Sequence, residues 1–315
     1  APTTTVPRTT VPAETTTTVE ADPVMPLTGQ PIVDQALANR PALAVKIDNH
    51  PNSRPQSGLN SADIVFEENV ESLTRFAVVF QSQDANPVGP IRSGRTQDID
   101  LLGSFDKPLF AWSGGNGNVT RAINESDLVP LSQFGPSASA FFRSGDRRAP
   151  YNLYSSTQAL YGFTPVYAPA PPQQFEYRAD GEAFNGEAAA GLDLAMDGVL
   201  DVRWVWDAAT TSYLREQEGR PHLTADAGQV NAANVVVIEV EYRPSPADAR
   251  SPEAQTVGTG TAWVLTGGVL VRGTWTRTDR LDTFELLDAD GNVIGLTPGR
   301  TWVELARVGV TNPIR

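Results

Sequence analysis

The sequence predicts an α+β fold in two parts, an N-terminal α/β-type sheet domain and a mainly β C-terminal domain closed as a small barrel or sandwich. Three observations lead there. Short apolar runs alternate with helical spacings up to residue 165. Strand-like runs separated by turn residues fill the chain beyond it. A proline-rich stretch, "TPVYAPAPPQQFEY" (164–177), divides the two.

The chain opens with "APTTTVPRTTVPAETTTTVEADP", in which nine of the first twenty residues are Thr. Such a segment cannot bury enough surface to offset its ordering entropy, so residues 1–25 read as an extended tether. Thr/Pro tethers follow the processed end of exported proteins. The expected location is therefore outside the cytoplasmic membrane, with any anchor lying ahead of residue 1. Within 26–165, "ALAVKID", "ADIVFEE" and "RFAVVFQS" are short apolar runs suited to buried strands. "TQDIDLLGSF" has helical spacing at Ile99, Leu102 and Phe105, "KPLFAW" runs as a strand into a Gly-rich turn, and "VTRAINESDL" follows as a helix. Within 166–315, "DVRWVWD", "TSYLREQ", "NVVVIEVEY", "TAWVLTGGVLVRGTWTR", "TFELLDADGNVIGL" and "RTWVELARV" read as strands. Gly267–Gly268 and Asp290–Gly291 mark hairpins.

Composition narrows the chemistry. A chain of 315 residues has room for two domains of ~100–200 residues each. With 40% hydrophobic residues it can build a core, and with net charge −13 and no run of Lys or Arg it lacks the footprint of a nucleic-acid binder. Zero cysteines exclude disulfides, thiolate catalysis and thiolate metal sites, and two distant histidines exclude a His-rich metal centre. No apolar run approaches the ~20 residues of a membrane helix.

The polar residues concentrate between 48 and 100. Asp48, Asn49 and His50 end a strand, Arg54 sits in a Pro-bounded loop, and Glu67, Glu68 and Glu71 precede Arg75. Then "GPIRSGRTQDID" brings Arg92, Arg95, Asp98 and Asp100 together. Loops after strand ends are where α/β sheets place binding groups, and a guanidinium fork matches phosphate or carboxylate. Two readings are open: a cleft for an anionic or metal–phosphate ligand, or internal ion pairs that pin the loops. Asp98 and Asp100 also suit the start of a helix.

Other motifs carry less. "WSGGNGNVTRAI" is an anion-cradling loop or a plain tight turn, since the P-loop lysine and the dinucleotide glycine spacing are absent. "DADGN" places glycine at the fourth position of a would-be calcium loop, which fits a hairpin turn better. His222 lies in a loop with Asp226 four residues on. The strand tryptophans, Trp204 among them, read as packing residues, with a sugar-stacking platform as the other reading.

"AVKIDNHPNSRPQSGLNSADIVFEENVESLTRF" with "GPIRSGR", then "RRAPYNLYSST", "NAANVVV" and "GTWTR…DADGNVIGLTPGRTWVEL", resembles the YerB-like bacterial lipoproteins, a family with paired domains of unknown function. The resemblance runs from about residue 26 to 307. It implies an exported, membrane-tethered, two-domain protein. Its polar signature falls on Asp48, Asn49, His50, Arg54, Glu67, Glu68, Arg75, Arg92, Arg95, Asn152 and His222. Two positions depart from the pattern: Tyr151 stands where a histidine is usual, and Ser72–Leu73 replaces a glycine pair. A shorter similarity, confined to the N-terminal domain, is to LytR-type cell-wall ligases. It would make Arg92 and Arg95 a phosphate grip and Asp98 or Asp100 a Mg2+ ligand in transfer of lipid-linked glycopolymer.

The leading expectation is an envelope-tethered binding or scaffolding protein without catalytic residues or a cofactor, acting in cell-wall or envelope assembly. Its partner would be an envelope component or a phosphate-bearing ligand. The alternative is the Mg2+-dependent phosphotransferase.

Overall fold

The computed structural model describes residues 23–314, apart from 180, 181, 183–185, 197 and 199. The tether expected over 1–25 thus falls outside the described residues up to position 22. Strand accounts for 44% of the structure and helix for 13%, so the fold is α+β and dominated by sheet.

Helix α1 (Gln35–Asn39) starts at Asp34, whose carboxylate accepts the Ala36 N–H. Strands β1 (Leu43–Asp48), β2 (Ile64–Val70) and β3 (Leu73–Phe80) follow, buried on both faces, with Lys46, Glu67, Glu68 and Arg75 buried among their apolar residues. The expected helix from Thr96 is α2 (Gln97–Leu101), tightening into a 3-10 turn at Gly103–Phe105. Then come β4 (Leu109–Trp112), α3 (Gly117–Glu125), β5 (Val129–Ser132) and α4 (Thr157–Tyr161).

The C-terminal half is mainly β. It runs through β6 (Gly191–Met196), β7 (Leu200–Asp207), β8 (Ser212–Gln217), β9 (Asn234–Val240), β10 (Tyr242–Ser245), β11 (Asp248–Ala254), β12 (Gly258–Thr266), β13 (Val269–Arg277), β14 (Glu285–Asp288), β15 (Thr301–Arg307) and β16 (Thr311–Ile314). Gly267–Gly268 joins β12 to β13, as the hairpin signal predicts. The Asp288 carboxylate accepts the Asp290 and Asn292 N–H groups, so "DADGN" is a turn held by its own aspartate.

The two halves share one sheet. Its order is β14-β13-β12-β9-β15-β2-β3-β1-β4-β5, with β15 parallel to both β2 and β9. A second sheet, β8-β7-β6-β16 with short strands attached to β8, packs on one face of the first as a sandwich. Ile47, Val65, Phe76 and Val78 meet Leu192, Met196 and Tyr213 there, and Trp204 lies 5.3 Å from Trp302 between ring centroids. The opposite face of the shared sheet is covered by α2 and α3, with Phe66 and Val79 packed against Leu102, Val119 and Ile123.

Because successive side chains on a strand point to opposite faces, neighbouring charges separate. Glu67 and Glu304 enter the layer between the sheets, whereas Lys46, Glu68 and Arg75 enter the helical layer. Between the sheets, Arg215 donates to Glu67 at 2.6 Å and lies 3.9 Å from Glu304, all three fully buried. Burial and the neighbouring Glu67 push the Glu304 carboxyl well above its ordinary value, partly opposed by Arg215. One cation therefore serves two carboxyls, and Glu304 keeps its proton, with the Trp204 indole donating to it at 2.8 Å. Burial and then Arg215 hold His222 well below its ordinary value. It is a neutral imidazole whose Nδ1 accepts from Arg215 and whose Nε2–H donates to Gln56.

Removing Arg215 would strand Glu67. Arg215→Met is expected to lower stability by about 3–5 kcal/mol, measured by urea unfolding, with partial recovery when Glu67→Gln is added. An unchanged urea midpoint would show that the network does not hold the sheets together.

Candidate functional site

β1, β4 and β5 run parallel, and their carboxyl ends open on the same side of the shared sheet, where α/β sheets place ligands. The segment "GPIRSGR" crosses these ends and is hydrogen-bonded into them. The Arg92 N–H donates to the Lys46 carbonyl at 2.8 Å, and the Ser113 N–H donates to the Arg92 carbonyl at 2.9 Å. Gly94 is required between the two arginines, since a Cβ there would come within 3.0–3.1 Å of Ile123, Trp112 and Phe110. The segment therefore lies flat on the core and projects its arginines outward.

A cleft of about 1010 Å3 opens above it, walled by α3, the loop after β5 and the hairpin β10–β11 of the C-terminal half. Four arginines (92, 95, 143 and 250) but two carboxylates (Glu71 and Asp248) line it. That is a cationic site in a chain of net charge −13.

The arginines differ in what they have left to offer. Arg95 grips Glu71 with a fork at 2.7 and 2.8 Å, so its charge is spent internally. Arg250 lies beside Asp248 at 3.4 Å on the rim. Arg75 is buried below the cleft, donating to the Ser93 carbonyl at 2.9 Å and lying 3.8 Å from Asp48. Burial, with Arg95 and Arg92 nearby, lowers it to about 10, partly opposed by Asp48. Arg92 donates through Nε to Asp48 at 3.1 Å, and its two terminal amino groups make no hydrogen bond among the described residues. Asp48 is in turn held by the Ser53 hydroxyl at 3.0 Å, which anchors the Nε side of Arg92 at the cleft wall. Arg143 donates to two neutral amides, Asn152 at 2.7 Å and Gln133 at 2.9 Å, which orient its charge without cancelling it.

The start of α3 contributes less than the Gly-rich loop suggests. Asn116 caps it, accepting the Asn118 and Val119 N–H groups at 3.0 Å, and donates to Asp248 at 3.0 Å. Most of the amides that could cradle an anion are taken.

The twelve residues marked out in the sequence divide into three places. Arg92 and Arg95 line the cleft, and Asp48, Arg75 and Asn152 support it from behind. His50 stacks on Tyr151 at 4.5 Å, and the Arg92 guanidinium carbon lies 5.6 Å from the same ring, so Tyr151, standing where a histidine is usual, packs against the Arg92 guanidinium. Glu68 and Asp98 are buried one layer deeper, both paired with Lys46, and Asp98 also accepts the Arg95 N–H at 2.7 Å. Burial pulls Lys46 down to about 8, against the raising effect of Asp98. Asn49, Glu67 and His222 belong to the layer between the sheets, where Asn49 donates to Thr74 at 2.8 Å and Gln217 at 3.0 Å. Arg54 lies at the edge of that layer, bonded to the Asn49 carbonyl at 2.8 Å and Glu218 at 2.5 Å. The structure therefore does not bring Arg54, Glu67 or His222 to the cleft. Sequence reasoning missed Arg143, whose exposed strand pair carries no pattern, and Lys46, Arg215 and Glu304. Lys46 and Glu304 each stood as a charge inside a strand-like apolar run, which was the available signal, whereas Arg215, next to Glu216 in "SYLREQ", carried none.

A shared mixed sheet with a second sheet on one face, helices on the other and a cleft lined by both halves defines a two-domain α+β protein with a cleft at the strand ends. The chain belongs to the DUF3048 family of proteins of unknown function, whose N-terminal domain matches residues 27–166 and whose C-terminal domain matches residues 192–303. It is 27% identical over 292 residues to YerB of Bacillus subtilis (strain 168), a protein described as a candidate lipoprotein, covering 89% of this chain and 85% of that one. The crystal structure of YerB from Bacillus subtilis superposes with a TM-score of 0.80 at 23% identity, covering 93% of this chain and all of the other, and shares its fold.

The Glu71 latch has a pH signature. Burial raises its carboxyl, but the Arg95 fork and the Ser251 hydroxyl outweigh that and hold it at about 2. A depressed carboxyl contributes stability that is complete above its unfolded value and lost as pH falls through the folded one. Glu71→Gln is therefore expected to be less stable than the parent at pH 7, with the gap closing between about pH 5 and pH 2 in urea titrations. A gap independent of pH would remove the ion pair as its cause.

Proposed function

We propose that this protein is an extracytoplasmic, membrane-anchored binding protein of the cell envelope that holds an anionic, phosphate-bearing ligand in the cleft through Arg92. The observation that carries the reading is the arrangement of Arg92. A guanidinium whose Nε is fixed by a buried aspartate, whose two amino groups make no hydrogen bond among the described residues and whose residue lines the cavity keeps a planar pair of donors for an oxyanion. Arg143, held by amides alone, supplies a second uncancelled charge across the opening. The envelope location rests on the likeness to YerB and on the Thr/Pro composition of the first twenty residues. Hairpin β10–β11 places Asp248, Arg250 and Ser251 on the wall, so a bound ligand would touch both halves. That suits a binding or scaffolding role.

Titration calorimetry with inorganic phosphate and pyrophosphate tests it. Binding is expected, with Arg92→Ala weakening it about tenfold or more and Arg92→Lys restoring part of the loss, because the ammonium keeps the charge without the fork. Arg250→Ala, on the exposed rim, is expected to change affinity less. Equal affinity of the parent and Arg92→Ala would sink the assignment.

A further inference from the structure

We infer that the cleft takes an acidic saccharide, a polyhydroxylated ring carrying one phosphate or carboxylate, an inference that rests on the anion site proposed above. At about 1010 Å3 the cavity greatly exceeds a lone oxyanion, so the rest of its lining must meet the rest of a ligand. That lining is neutral and hydrogen-bonding. Thr120 and Asn124 lie one turn apart on α3 and form one stripe along the cavity, with Ser132 and Gln133 also lining it. Carboxamides and hydroxyls carry donor and acceptor together, which is what vicinal hydroxyl groups need. The Asn124 side chain makes no hydrogen bond among the described residues and stands ready for one.

The second observation is Phe134. It is 71% exposed at the mouth of the cleft, unusual for a phenylalanine in a folded domain. Its ring sits against Gly114, where a Cβ would come within 3.5 Å of it and where the backbone has φ +102°. The ring meets the loop through its Cδ2–Cε2 edge at ordinary contact distance and is otherwise largely exposed, accessible to the C–H face of a sugar. A nucleobase fits less well. The other large aromatic lining the cavity, Trp112, is 2% exposed and packed against Phe110, so the cleft offers one platform and no aromatic slot.

The test compares inorganic phosphate, glucose 1-phosphate and unphosphorylated N-acetylglucosamine by calorimetry on the parent, Arg92→Ala and Phe134→Ala. The expected result is glucose 1-phosphate binding about five- to tenfold tighter than phosphate, with that increment lost in Phe134→Ala while phosphate binding is unchanged. Arg92→Ala is expected to weaken both anions. Asn124→Ala, on an exposed helix position, gives a second variant that leaves the core untouched and should reduce the same increment. Equal binding of phosphate and glucose 1-phosphate would overturn the saccharide assignment and leave the anion site standing. Loss of all anion binding in the parent would overturn both. Tighter binding of N-acetylglucosamine than of glucose 1-phosphate would overturn the acidic requirement.

Discussion

Strand β15 lies between β2 and β9, parallel to both, and is buried along its length except at Arg307. That pairing joins the halves of the chain into one sheet. Its two faces serve different layers: Trp302, Glu304 and Ala306 point toward the second sheet, while Val303 and Leu305 point toward the helices. With β15 in register, β9 is positioned, and the hairpin that follows β9 reaches the strand ends of the N-terminal half. There the Ser251 hydroxyl donates to Glu71, the Ala254 N–H donates to Gln97 at 2.8 Å, and Thr96 bonds Ser245 at 2.6 Å. The cleft is thus a product of both domains.

The two polar layers on either side of that sheet differ in kind. Between the sheets, Arg215, Glu67, Glu304 and His222 are charge-matched and closed against water, so they fix how the sheets pack. On the helical side, Lys46 pairs with both Glu68 and Asp98 in the interior, while the outermost row, Arg92 and Arg143, is incompletely matched. Burial makes an unmatched charge costly, whereas a cleft open to solvent lets it persist.

Much of this was legible in the residues. The apolar runs of β1 to β3 and the Gly267–Gly268 hairpin announced themselves, and so did Arg92 and Arg95, because charge in a Gly/Pro/Ser loop seldom belongs to a solvated helix face. Strand β6 and hairpin β10–β11 were not legible. "GLDLAM" is short, and "DARSPEA" is polar with a proline inside, tolerable where the strand pairs only with β10. Glu67 and His222 lie away from the cleft for a different reason. Proximity along the chain does not decide facing, and the period-two alternation sends Glu67 and Glu68 into separate layers. Which sheet would cover Glu67 depended on β8 arriving from far along the chain, which no local pattern records.

The position of β15 has a consequence for how the chain acquires its shape. Synthesis proceeds from the N-terminus, so β1, β2 and β3 can assemble while β15 has yet to appear. During that interval β2 presents an unpaired, apolar parallel edge, the kind of surface that recruits other strands indiscriminately. The nascent molecule is most vulnerable in that window, and the last hundred residues act as its protection as much as its second domain.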